Sequence, residues 1–193
     1  MIQQRDAVAE TGARARTRKA ILDAAVSVLS KDSTASLGEI AAEAGVGRTT
    51  MHRYFPERSD LLTAIGAEAL GKVAVATERA KVDEGTAAEA LERLALELFD
   101  LGDLLMLAFN DPGLTNSPDW ETETEADQAT ARLLDRIRVE GGDPELDADW
   151  LVQVLWSVLY AAWTHTRENG VPRQQALRLC LRTLRNATGL GGA

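Results

Sequence analysis

From Arg14 onward, apolar positions Ile21, Ala24, Ala25, Val28 and Leu29 recur at helical spacing, which predicts a first helix to about Lys31. Residues 1–13 are polar with an isolated Gly12 and read as a flexible arm. A short polar link leads to Ser36-Leu37-Gly38-Glu39, the pattern of a capping box. There the serine oxygen takes the amide of Glu39 and the glutamate reaches back. Leu37, Ile40, Ala41 and Ala44 give the helix that follows one apolar face, and Gly45 is placed to end it in left-handed backbone. Val46 is expected to point inward. Gly47 stands where a third helix needs its cap, and it offers no side-chain oxygen for the task. That helix, Arg48 to about Phe55, turns Met51, Phe55 and part of Tyr54 inward and shows Arg48, Thr49, His52 and Arg53 outward. Pro56 closes it, because proline disfavours helical geometry in the residue before it.

Glu57 and Asp60 complement the dipole at the start of a long fourth helix. Its inner face is Leu61, Leu62, Ile65, Leu70 and Val73, and it reaches roughly Lys81. Residues from Thr86 to about Asn110 are apolar nearly all round, as in one buried central helix. Two prolines and a glycine make 111–119 a loop, and a charged helix is expected from about Trp120 to Glu140. Another helix that is apolar on most faces spans Asp147 to about Glu168. Asn169-Gly170-Val171-Pro172 breaks it before a last helix, Arg173 to Ala187. The fold class is therefore all-α, with about nine helices and no repeat. The expected division is an arm over 1–13, a three-helix domain over 14–58, and a helical body over 59–193.

Charge changes this picture. The formal net charge of −9 is unevenly distributed along the chain. Residues 1–60 carry nine Lys/Arg against eight Asp/Glu, whereas 61–193 carry twelve against twenty-two. The early cations also cluster, as Arg14, Arg16, Arg18 and Lys19 and then Arg48, Arg53 and Arg58. A locally basic end on an acidic body suits a protein that docks one face on phosphate. No stretch approaches the length of apolar chain that crosses a bilayer, and the N-terminus lacks the apolar core of a secretory signal. The single cysteine, Cys180, fits a reducing compartment, so a cytoplasmic location is expected. His52, His165 and Cys180 lack zinc-site spacing, and no nucleophile stands beside a base. Neither metal, cofactor nor catalysis is expected.

Two short helices joined by a tight glycine turn read as a helix-turn-helix, whose second helix offers its N-terminal half to the major groove of DNA. Arg48 can bond guanine O6 and N7, Thr49 can reach a base edge, and His52 lies one turn further on the same face. Ser36, Gly47, Thr50 and Arg53 border that surface, and Tyr54 and Arg58 are placed to hold phosphates. Arg14, Arg16, Arg18 and Lys19 can follow the backbone or enter the minor groove.

The run from Ile40 to Leu62, IAAEAGVGRTTMHRYFPERSDLL, with the preceding TRKAILDAAVSVL, resembles the TetR family of regulators. In that family the position of His52 is often tyrosine, that of Gly47 often serine, and that of Arg58 often lysine. The resemblance implies a homodimer whose last two helices form a four-helix bundle, an effector pocket in the body, a palindromic operator, and usually repression. A helical adaptor that binds protein and has lost DNA binding is the alternative function.

Aromatic and thioether side chains of the body supply effector-site candidates: Phe99, Met106, Phe109 and Trp120, and on the 147–168 helix Trp156, Tyr160 and Trp163. That helix carries two apolar stripes, one through Trp156, Leu159, Tyr160 and Trp163 and one through Leu151, Leu155, Val158 and Ala162. One faces its own domain and the other a partner subunit, the assignment being open at this level. Glu121, Glu123 and Glu125 near the 111–119 loop hint at a cationic ligand.

Overall fold

The computed structural model describes residues 12–116, 118–141, 143 and 145–190, and these form helices and turns only. The expected all-α class holds, with ten α-helices and one 3-10 turn among the described residues in place of about nine helices. Of the arm expected over 1–13, residues 1–11 lie outside the described residues. The chain divides into two compact units that meet between Ile65 and Gly66.

The first unit contains α1 (Gly12–Leu29), α2 (Leu37–Glu43), α3 (Arg48–Tyr54) and the start of α4 (Arg58–Ala80). Both halves of the capping box are present at α2. The amide of Glu39 donates to Ser36 Oγ at 3.3 Å, and the amide of Ser36 donates to Glu39 Oε2 at 2.8 Å. Gly45 takes φ 66°, the left-handed backbone its position requires. The amide of Val46 returns to the carbonyl of Ala41 and that of Gly45 to Ala42, which satisfies the carbonyls left open at the end of α2. Ile21, Ala25, Ile40, Met51, Leu61 and Ile65 form the core of this unit, each at most 1% exposed. Ser36→Ala is expected to cost the unit about 1 kcal/mol, read from its thermal unfolding.

The second unit contains the rest of α4 with α5 (Ala87–Phe99), α6 (Gly102–Asn110), α7 (Pro112–Thr115), α8 (Glu125–Val139), α9 (Ala148–Glu168) and α10 (Arg173–Ala187). The central helix expected over Thr86–Asn110 is in fact two, α5 and α6, broken at Asp100-Leu101. The cause lies on α9. The Trp163 ring is so close to Gly102 that a Cβ there would sit 2.6 Å from it. Its indole N–H donates to the Phe99 carbonyl at 3.1 Å, the acceptor that an unbroken helix would give to the amide of Asp103.

The expected 111–119 loop holds α7 and a 3-10 turn at Pro118–Trp120. Asp111 caps α7 through the Gly113 amide, and Pro112 occupies the first turn, where its missing N–H costs nothing. The charged helix starts at Glu125 and not near Trp120, because Thr124 and Asp127 form a second capping box. Gly66 of α4 lies against α7, where a Cβ would come within 2.1 Å of the Leu114 carbonyl oxygen. Two arginines hold the turn after α4: Arg93 donates to the carbonyls of Ala80, Lys81 and Glu84, and Arg136 to those of Val82 and Gly85. No helix among the described residues is long and apolar enough to cross a membrane.

The capping carboxylates tie stability to pH. Hydrogen bonds from the backbone and hydroxyl of Ser36 hold Glu39 below the ordinary glutamate value of 4.5, and those from Thr86 do the same for Glu89. For Glu140 the amide of Ala87 is the main cause, followed by Arg136. Each folded value is depressed, so each contribution is present in full above the ordinary range and is lost as the pH falls through and below it. The melting temperature is expected to drop between pH 6 and pH 3, by less in Glu39→Gln.

Candidate nucleic-acid interface

The helix α3 is short, and two buried side chains fix it from behind: Met51 at 1% exposure and Phe55 at 3%. That anchoring leaves Arg48, Thr49, His52 and Arg53 exposed, with Thr50 half-buried. Gly47 caps the helix with extended backbone (φ −71°, ψ 153°) and no side-chain hydrogen bond. A cleft of about 310 Å³ runs along this face, lined by Ser36, Leu37, Gly38, Arg48, Met51 and His52. Gly38 gives the Arg48 stem room: a Cβ there would lie 3.7 Å from Arg48 Nε. His52 Nδ1 is 3.3 Å from the carbonyl oxygen of Pro56.

The other candidate residues divide by what holds them. Arg14 and Arg16 are exposed on the first turns of α1. Arg18 lies over the Phe55 ring and Arg53 over the Tyr54 ring, each at 5.7 Å, so each cation rests on an aromatic face. Lys19 pairs with Asp23 at 2.6 Å. The Tyr54 hydroxyl donates to the Arg14 carbonyl at 3.3 Å, which ties α3 to the start of α1. The Ser36 hydroxyl is committed to Glu39 within the capping box. Arg58 departs most from its expected part as a phosphate contact. Its two terminal nitrogens donate to the carbonyls of Ala35 and Ser33, so it pins the link between α1 and α2.

In the second unit the seven aromatic and Met candidates do not converge. Phe109, 51% exposed, meets Trp156 and Tyr160 edge-on at 5.9 and 5.8 Å. The Tyr160 hydroxyl donates to Asn110 Oδ1 at 3.0 Å, a partner that composition and periodicity did not single out. Phe99 and Trp163 are buried against each other, and Arg173 caps the Phe99 ring. Met106 is also buried, while Trp120 stands apart, its indole nitrogen beside Gly66.

Sequence reasoning also missed a groove of about 660 Å³ between α9 and α10, lined by Val158, Ala161, Leu179, Cys180 and Thr183 among others. The readable signal was Ser157 and Ala161, small residues one turn apart on an otherwise bulky helix. Burial pushes the Cys180 thiol up to about 11, so it stays protonated at neutral pH.

Residues 21–65 match the family described as bacterial regulatory proteins, tetR family. The chain is 38% identical to the HTH-type transcriptional repressor LfrR of Mycolicibacterium smegmatis over 91% of its own length and 92% of that protein's. It is 26% identical to the HTH-type transcriptional repressor KstR of Mycobacterium tuberculosis, covering 92% and 86% of the two chains. Among solved structures, LfrR from Mycobacterium smegmatis in complex with proflavine superposes with a TM-score of 0.73 at 35% identity, over 88% of this chain and 95% of that one.

Proposed function

The chain belongs to the TetR family and is a DNA-binding transcriptional regulator, not an enzyme; on that footing we propose how it holds its operator and lets it go. Two copies join through α9 and α10, each covering the other's groove. Their α3 helices then enter successive major grooves ~34–36 Å apart, on a palindromic site. Arg48, Thr49 and His52 meet base edges. Arg14, Arg16, Arg53 and the Tyr54 hydroxyl stand along the phosphates. The observation that carries this reading is the fully exposed polar face of α3 over a buried Met51 and Phe55.

Release is assigned to a flat aromatic cation of the class of proflavine, the molecule bound to the Mycobacterium smegmatis relative. The Phe109, Trp156 and Tyr160 rings offer aromatic faces and edges, and the net acidity of residues 61–193 favours positive charge. Coupling of ~1–3 kcal/mol between the two sites is enough to lower operator affinity five- to 150-fold.

The test is selection of bound duplexes from a random pool by the full-length chain, followed by affinity measurements on the winner. A palindrome is expected, with log K falling steeply and linearly against log salt. A flat salt response would remove phosphate contact from the account, and absence of any enriched sequence would remove base reading. Unchanged affinity at saturating proflavine would overturn the effector class and leave DNA reading intact.

A further inference from the structure

Pro56 closes α3, and its carbonyl oxygen lies 3.3 Å from His52 Nδ1. A carbonyl only accepts, so the proton of this hydrogen bond must sit on Nδ1. In the neutral ring the other nitrogen, Nε2, then carries a lone pair and no proton. His52 is exposed on the same face as Arg48, one helical turn further along, and both line the cleft in front of α3. Arg48 has only donors to offer, so this surface presents a donor and an acceptor about 6 Å apart along the helix axis.

We infer that His52 reads a base edge as an acceptor, favouring adenine or cytosine over guanine or thymine at one position of each half-site. In the major groove adenine N6 and cytosine N4 donate, whereas guanine O6 and N7 and thymine O4 accept. An unprotonated Nε2 bonds the first pair and meets a lone pair on the second. A phosphate oxygen is an acceptor too, so the same tautomer argues against a phosphate contact at this residue. Arg48, with the opposite chemistry, takes guanine, and its helical offset from His52 places the two readings within about two base pairs of each other. This rests on the DNA-binding reading above.

The experiment measures affinities of the full-length chain for operator duplexes in which each half-site position carries all four base pairs in turn. Wild type is expected to prefer adenine or cytosine roughly three- to tenfold at one position near that read by Arg48. His52→Ala should level that preference and leave every other position unchanged. His52→Lys, which can only donate, should reverse it toward guanine or thymine. Uniform weakening of all duplexes by His52→Ala would make the residue a phosphate contact, and no change at any position would make it a solvated side chain. Either result overturns the inference while leaving the operator itself in place. Failure of the wild-type chain to bind any duplex would overturn it together with the DNA-binding reading.

Discussion

Replacing Arg48 by alanine is expected to weaken operator binding roughly ten- to hundredfold. That range follows from ~1–3 kcal/mol for one bidentate guanine contact, at about 1.4 kcal/mol for each tenfold. The side chain is exposed and lies along Gly38 in the unbound protein, so its removal leaves no cavity and no unpaired buried group. The melting temperature and the sedimentation of the dimer should therefore match wild type. The loss should also be uneven across sequences, because a base contact discriminates and a phosphate contact does not. Equal weakening on operator and random duplex would reassign Arg48 to the backbone. Equal affinity of variant and wild type would remove it from the interface.

Trp163→Ala should be among the most destabilising single changes in the second unit, costing about 3–5 kcal/mol in denaturant unfolding. Three effects act together. The indole is 4% exposed, so truncation leaves a large cavity. It sits against Gly102 so closely that neighbouring backbone is shaped around it. Its N–H also satisfies the Phe99 carbonyl at the break between α5 and α6, and an acceptor stranded there adds its own penalty. Trp163→Phe keeps most of the packing and removes the donor, so an intermediate loss is expected. Against a total stability of about 5–15 kcal/mol, the alanine variant would sit close to unfolding. A loss under 1 kcal/mol would mean that α6 can close over the gap, and that the break has another cause.

These two residues also mark what could be read from the chain and what could not. The geometry around Arg48 is specified locally. Ser36 and Glu39 cap α2, Gly45 turns it, Gly47 opens α3 and Pro56 closes it, all within 21 residues. Apolar spacing placed Met51 and Phe55 inside, so the opposite face followed. The break before Gly102 has no such local cause. It depends on Trp163, far along the chain, and hydrophobicity on every face hides a boundary from periodicity. Arg58 was misjudged for the same reason, since the carbonyls of Ser33 and Ala35 become its partners only once the unit folds. By contrast, Pro112 after Asp111, and Thr124 three residues before Asp127, were legible capping signals at α7 and α8 that a loop-like composition obscured. The aromatic candidates failed to converge because composition counts rings without saying which face of α9 they share. That helix buries Leu151, Leu155, Leu159, Ala162 and Trp163 together, so neither stripe read from the sequence survives intact.

Methylation of guanine N7 by dimethyl sulfate reports directly on the floor of the major groove, where α3 is placed. On the selected operator, the full-length chain is expected to shield one or more guanines in each half-site. Arg48→Ala, at concentrations that still saturate the duplex, is expected to restore their reactivity. Undiminished N7 methylation under a fully bound wild-type chain would place the protein elsewhere on the duplex, and α3 would not be the element that reads it.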